Sequence, residues 1–395
     1  MRLPAPAREV TADFVPASPA PKPAAAPAAK AAPQIDRSVV HSMIGPDGAL
    51  WLRGANYKLR ADDAGLTYVP FLSSSAPQSF EMEFRLSEIT AGGAALAFDA
   101  GARPAHHDGR VVFDRGSVDE VYVVEPGSIE QQFVLESVPT RGEVVVRLAV
   151  ETALAGSTVA DGFDFSCEWG RVHYGRATAI DAAGRELALE SALDGGAIEI
   201  RVPADFVASA ELPLVIDPVV TSFAAEMGSI TSLSPDISHA IGGYLLLSWE
   251  EIYNATDHDV YAVLSDGAGN LSYGGYIDYT TTYWAHPRSA HLYVGDRFLV
   301  AAEVGDPSGA ARTVWGVVRD AFLGFSSAQF QISEPGAFGE QLHPDVGADP
   351  YPFARATSAW FGSACTPPTT ATSTRGSSTR TALPPRARST STTAP

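Results

Sequence analysis

The chain has 395 residues, 45 % of them hydrophobic, and carries 46 Asp and Glu against 27 Lys and Arg, for a formal charge of −19. That length implies two or three domains with packed cores. The charge argues against nucleic acid as a partner, and no apolar run is long enough to span a membrane as a helix. Thirty-five Gly, 29 Pro and only four Met, with many Val, Thr, Tyr and Phe, point to β structure and frequent turns. Cys167 and Cys365 are too few for a disulfide framework or a cysteine metal centre.

Residues 1–34 are rich in Pro and Ala and poor in large apolar side chains, so they are expected to be an extended, disordered linker. The opening MRLPAPAREV lacks the apolar stretch of a secretory signal. From residue 35 to 221 the pattern becomes short alternating runs. Ala49–Arg53, Leu66–Pro70, Phe80–Leu86, Arg110–Phe113, Glu120–Val124, Ile129–Leu135, Glu143–Val150 and Ala197–Val202 read as strands, punctuated by Pro-Asp-Gly, His-Asp-Gly and Pro-Gly turns. No segment keeps a 3.6-residue period over three turns. The expectation is an antiparallel β-sandwich-like domain.

Repeats occupy 229–353. Ser234-Pro235-Asp236, His286-Pro287-Arg288 and His343-Pro344-Asp345 each read as a turn that opens a unit. Within the units, Tyr244–Trp249 corresponds to Arg297–Ala302, Val260–Leu264 to Val314–Val318, and Tyr276–Asp278 to Phe330–Ser333. Three or four short strands per unit is the size of a propeller blade, and a blade cannot bury its faces alone. The fold class expected is therefore all-β: the sandwich-like domain followed by an incomplete β-propeller of two units and the start of a third. Its open faces should leave the array unstable unless the first domain caps it.

The tail, 354–395, has no Asp or Glu and five Arg among Ser, Thr, Pro and Ala, and is expected to be disordered. Read one base out of phase, Ser358–Thr381 can encode Val-Val-Trp-Glu followed by Asp-x-Asp-x-Tyr-Ala. Tyr244–Asn270 carries the same order in frame, as Ser-Trp-Glu and Asp-His-Asp-Val-Tyr-Ala. The tail thus reads as frame-shifted repeat sequence.

No catalytic or cofactor-binding residue is assigned. There is no Gly-x-Ser-x-Gly, P-loop, dinucleotide fingerprint or locally supported Cys–His pair. Asn254, Asp257 and Asp259 put three oxygen-bearing side chains into one loop and are weak Ca²⁺ candidates. Asp266–Asn270 reads as a hairpin turn first and a cation loop second, and His106-His107 as a solvated turn. His239, His286, His291 and His343 fall near unit starts, where a propeller rim would let them converge. Trp249 reads as a blade-core residue; sugar stacking would require its exposure.

The order Pro126–Leu135, Tyr174–Arg185, Ile198–Pro203 and then Glu211-Leu-Pro-Leu-Val-Ile-Asp-Pro218 resembles a β-rich domain of unknown function in large secreted or surface proteins of bacteria. There a similar strand closes the domain and propeller-type repeats follow. Trp249-Glu250 and Asp259-Val-Tyr261 match those repeats; Ala302-Glu303 and Arg312-Thr313 depart from them. The resemblance implies export to the extracellular space or cell surface, and a scaffold or binding role toward a protein or glycan. A propeller-based glycoside hydrolase or lyase, its catalytic blades missing, is the alternative.

Overall fold

The computed structural model describes residues 39–224, 230–266, 268–292, 296–308, 311–320, 327–334, 340–348 and 358–365. The expected linker, 1–34, and the end of the tail, 366–395, lie outside them.

Two antiparallel sheets enclose one core over residues 41–224. The first runs His41–Ile44, Leu50–Arg53, Tyr57–Asp62, Gly65–Pro70, Met82–Ala91, Val144–Thr152, Ala197–Val202 and Glu190–Asp194. The second runs Ala155–Val159, Gly162–Cys167, Gly170–Gly175, Val219–Ala224, Ser128–Leu135, Leu214–Asp217, Thr178–Ile180 and Glu186–Ala188, with Asp119–Val124 also on Ser128–Leu135. Side chains of Ser128–Leu135 alternate between half-buried and buried, as period-two patterning requires. Ile129, Phe133 and Leu135 meet Val144, Val146, Leu148, Ile198 and Ile200 in the common core. All eight strands read from the sequence fall on observed strands. The Leu214–Asp217 strand does not close the domain, because Val219–Ala224 returns to the same sheet beside Gly170–Gly175.

The repeats form successive antiparallel sheets. The first blade is Thr231–His239, Leu245–Asn254, Asp257–Ser265 and Leu271–Asp278; the second is Trp284–Leu292, Arg297–Val304, Thr313–Asp320 and Phe330–Gln331. Their first strands lie side by side, followed by Glu340–Ala348 of a third sheet, so the blades fan out from their first strands as in a propeller. Leu246, Val260, Ala262 and Leu264 of the first blade pack on Phe298, Val300 and Ala302 of the second. Two parts of the sequence reading need correction. The Xaa-Pro motifs are not turns between units but bulges inside each first strand, where the register shifts. Proline donates no ladder hydrogen bond, so it is accommodated where the strand leaves its ladder. The tail is not structureless throughout, because Ser358–Cys365 pairs antiparallel with Glu340–Ala348. That stretch contains Trp360 and Phe361 and no Pro, whereas Pro367 and Pro368 follow directly.

Equivalent faces of the two blades differ in cover. Phe298, Val300 and Ala302 are fully buried against the first blade. Their counterparts Leu245, Leu247 and Trp249 are half-buried, and Leu233 and Ile237 beside them are 47 % and 58 % exposed. The two-sheet domain covers the far end of that blade instead. Trp51 packs with Tyr279 and Tyr276, and Val69 and Phe71 with Tyr253.

Candidate functional site

Apart from an Arg115–Glu120 pair inside the two-sheet domain and the separate Asp181 and Arg319, the ionisable residues that the fold buries gather at the joint between that domain and the first blade and at the seams between blades. At the joint, the strands Leu50–Arg53 and Tyr57–Asp62 present Arg53 and Lys58 to the first blade, and both side chains are fully buried. The Lys58 ammonium donates to Asp257 Oδ1 at 2.6 Å, Asp259 Oδ1 at 2.7 Å and the Thr280 carbonyl at 2.8 Å, and so uses its three donors. Arg53 Nε lies 3.6 Å from Asp259 Oδ2. Both cations sit over the Tyr253 ring, Lys58 Nζ at 4.1 Å and Arg53 Cζ at 4.9 Å from its centroid.

The three calcium candidates therefore have other work. Asp257 and Asp259 hold an internal ammonium, and Asn254 donates to Ser79 Oγ at 2.9 Å while its Oδ1 caps the Thr256 N–H at 3.0 Å. A cation at this place would have to displace a buried lysine. Among the described residues no group of three or more His, Cys, Asp or Glu has the geometry of a metal site.

At the seams the same arrangement occurs twice. Glu250, on the second strand of the first blade, bonds His258 Nδ1 at 2.5 Å through Oε1 and accepts the backbone N–H of His286 at 3.1 Å through Oε2. Glu303, its counterpart on the second blade, accepts Arg312 Nη1 at 2.9 Å and the backbone N–H of His343 at 2.7 Å. His258, on the third strand of the first blade, and Arg312, just before the third strand of the second, stand at equivalent places. Each carboxylate thus joins a base of its own blade to the bulge of the next. The bulge explains why an N–H is available. Ser234, His286 and His343, the residues before the prolines, have φ of 50°, 51° and 55°. A non-glycine residue there costs on the order of 1–3 kcal/mol, and a charge-assisted hydrogen bond offsets a cost of that size.

Electrostatics follow from these bonds. Burial alone would raise the Glu303 carboxyl, but the His286 ring, the His343 N–H and Arg312 outweigh it and hold it at about 2. Glu250 is likewise lowered, by His258 and the His286 N–H against its burial. His286 Nδ1, 3.2 Å from Glu303 Oε2, is raised by that carboxylate more than its partial burial lowers it.

No protein-family model matches the chain, and no curated protein sequence matches it. Among solved structures it is similar to an alpha-L-arabinanase of Penicillium chrysogenum, solved as a complex with arabinobiose. The identity is 11 %, the match covers 82 % of this chain and 74 % of that one, and the TM-score is 0.26. A superposition that loose carries no weight for the fold or the site.

Of the histidines near unit starts, only two come together: the rings of His286 and His343 lie 6.4 Å apart. His291 bonds Asp296 Oδ1 at 2.6 Å near the other end of its strand, and His239 is exposed on the first blade. His106 and His107 form an exposed hairpin strand, turning through Asp108 and Gly109 at φ of 51° and 72°. Asp266 closes its own hairpin by accepting the N–H groups of Ala268 and Asn270 at 2.9 and 2.8 Å. Trp249 is half-buried, with its ring 5.2 Å from that of Tyr261. Sequence reading missed Lys58, Arg53, Glu250, Glu303 and Arg312. One signal was available: at Trp249-Glu250 and Ala302-Glu303 the tryptophan changes between units and the glutamate does not.

Proposed function

We propose that the chain is a non-catalytic scaffold or binding protein of the bacterial cell surface or extracellular space, and that its repeat array is truncated by a frame change near residue 354. The observation that carries the first part is the use made of Glu250 and Glu303. Each spends its oxygens on a base of its own blade and on the backbone of the next. A carboxylate so bound, and held at about 2 in the case of Glu303, is a fastener between blades, whereas a catalytic acid needs an accessible proton near working pH.

Backbone register supports the second part. Ser363 lies opposite Leu342, the place that Glu250 takes opposite Leu233 and Glu303 opposite Ala285. The out-of-phase codon that can encode glutamate takes two of its three bases from that of Ser363, and the one before it can encode tryptophan. The shifted reading therefore supplies Trp-Glu at the register position where the first blade has it.

Two experiments test these readings. Incubation with a panel of plant and bacterial polysaccharides is expected to release no reducing ends; sustained release by the purified chain would overturn the scaffold reading. Resequencing the gene across the codons for Pro350–Pro395 is expected to reveal one inserted or deleted base that restores Trp-Glu. An intact frame with no repeats downstream would overturn the truncation.

A further inference from the structure

The joint between the two-sheet domain and the first blade contains more acid than base. The blade brings Glu251, Asp257, Asp259 and Asp278, each at most 2 % exposed. Against them stand Lys58 and Arg53, with Glu81 at the edge, and Tyr253, Tyr276 and Tyr279 complete the wall. Two cations cannot neutralise four buried carboxylates, and an unpaired buried charge is costly enough that the group takes up a proton instead.

Geometry selects which one. Asp257 and Asp259 share Lys58, and Glu251 accepts the Tyr276 hydroxyl at 2.9 Å. Among the described residues, the donors that Asp278 meets are neutral. Its Oδ1 accepts Gln329 Nε2 at 2.7 Å, and its Oδ2 lies 3.0 Å from both the backbone N and the hydroxyl of Thr280. Those contacts suit a carboxylic acid once the Thr280 hydroxyl turns: Oδ1 is then the carbonyl oxygen, and the Oδ2 hydroxyl donates to Thr280 Oγ1 while accepting the Thr280 N–H. Thr280 in turn gives its carbonyl to Lys58, which ties the state of Asp278 to the lysine that docks the two domains.

We propose that Asp278 holds a proton in the closed joint, and that its ionisation as pH rises loosens the contact between the two-sheet domain and the first blade. Burial raises the Asp278 carboxyl to about 7, with Asp259 adding to it and the Gln329 and Lys58 contacts opposing; it raises Asp257 as well, where the Lys58 ammonium is the main opposing contact. A carboxyl raised above its unfolded value stabilises most below that value, and the benefit is lost as pH rises through about 7.

The test compares the full chain with Asp278→Asn between pH 5 and 9, by thermal melting and by hydrogen exchange of Leu50–Asp62 and Asp257–Ser265 corrected for intrinsic rate. The wild type should lose melting temperature and protection at the joint from pH 5 to about 7, by up to about tenfold in protection per pH unit, and level off above. The variant should match it at pH 5 and lose less protection at the joint toward pH 7, keeping only the part due to Asp257, while its melting temperature still falls by the share that His286 contributes at the seam. Parallel curves offset at every pH, or a flat wild type, would overturn the proposal. If Asp278→Asn does not fold, infrared spectroscopy of the wild type decides: a buried carboxylic-acid carbonyl band that vanishes through neutral pH supports it, and its absence at pH 5 to 6 refutes it.

Discussion

Glu303 of the second blade accepts the backbone N–H of His343, on the first strand of the next sheet, at 2.7 Å. One blade earlier Glu250 does the same for His286. Removing this fastener should therefore cost more than removing an ordinary surface carboxylate. Glu303→Ala is expected to destabilise by about 3 kcal/mol, because it leaves Arg312 and a strained backbone N–H unpaired. Glu303→Gln should cost about 1.5–2 kcal/mol, keeping one acceptor. Urea unfolding measures both; values within about 0.5 kcal/mol of wild type would show that the seam is held by apolar packing alone.

The seam should also have a pH signature. Glu303 is depressed to about 2, so its contribution is full above the ordinary carboxylate value and is lost as pH falls toward 2. His286 is raised, so its contribution is full below the ordinary imidazole value and is lost as pH climbs through the raised one. The seam is thus strongest between about pH 4.5 and 6.5. Melting curves of Glu303→Gln should be flatter than wild type on both flanks; an unchanged profile would remove Glu303 from the account.

At the joint, Lys58→Met replaces a buried ammonium by an apolar chain of similar length and leaves Asp257 and Asp259 facing each other. The expected loss is about 3–5 kcal/mol. Adding Asp257→Asn should recover part of it, so that the double variant is more stable than the two single losses predict when summed. Additive losses in a double-mutant cycle would mean that the two groups do not act together.

Calcium should not stabilise the wild-type chain, because the oxygens of Asp257 and Asp259 already take Lys58. In Lys58→Met the same carboxylates are freed, and millimolar Ca²⁺ should then raise the melting temperature. A calcium-dependent shift in the wild type, reversed by a chelator and lost in Asp257→Asn, would show that the ion displaces Lys58 and would overturn this reading.

Gly274 lies against the Tyr261 hydroxyl so closely that any β-carbon there would collide with it. Gly274→Ala should cost about 1–3 kcal/mol through overpacking, and Tyr261→Phe in the same chain should restore part of that. Absence of rescue would show that the strain falls on the backbone.

The local parts of this architecture were legible in the sequence. Alternation along Ile129–Leu135 and Ala197–Val202 specifies strands because the side-chain period of a strand is two. The spacing of Pro235, Pro287 and Pro344 marks the units because proline withholds a ladder donor wherever it stands. Even the one glutamate common to Trp249-Glu250 and Ala302-Glu303 was visible, though not its purpose. What the sequence could not reveal was partnership between distant residues. Asp257 and Asp259 have the composition of a cation loop, and nothing local says that Lys58, about two hundred positions earlier, is their cation. The second unit has Ala311 and Thr313 at those places, and only the tertiary structure explains the difference. It seats the two-sheet domain on the first blade, and a buried ion pair forms only where folding brings both charges out of water together.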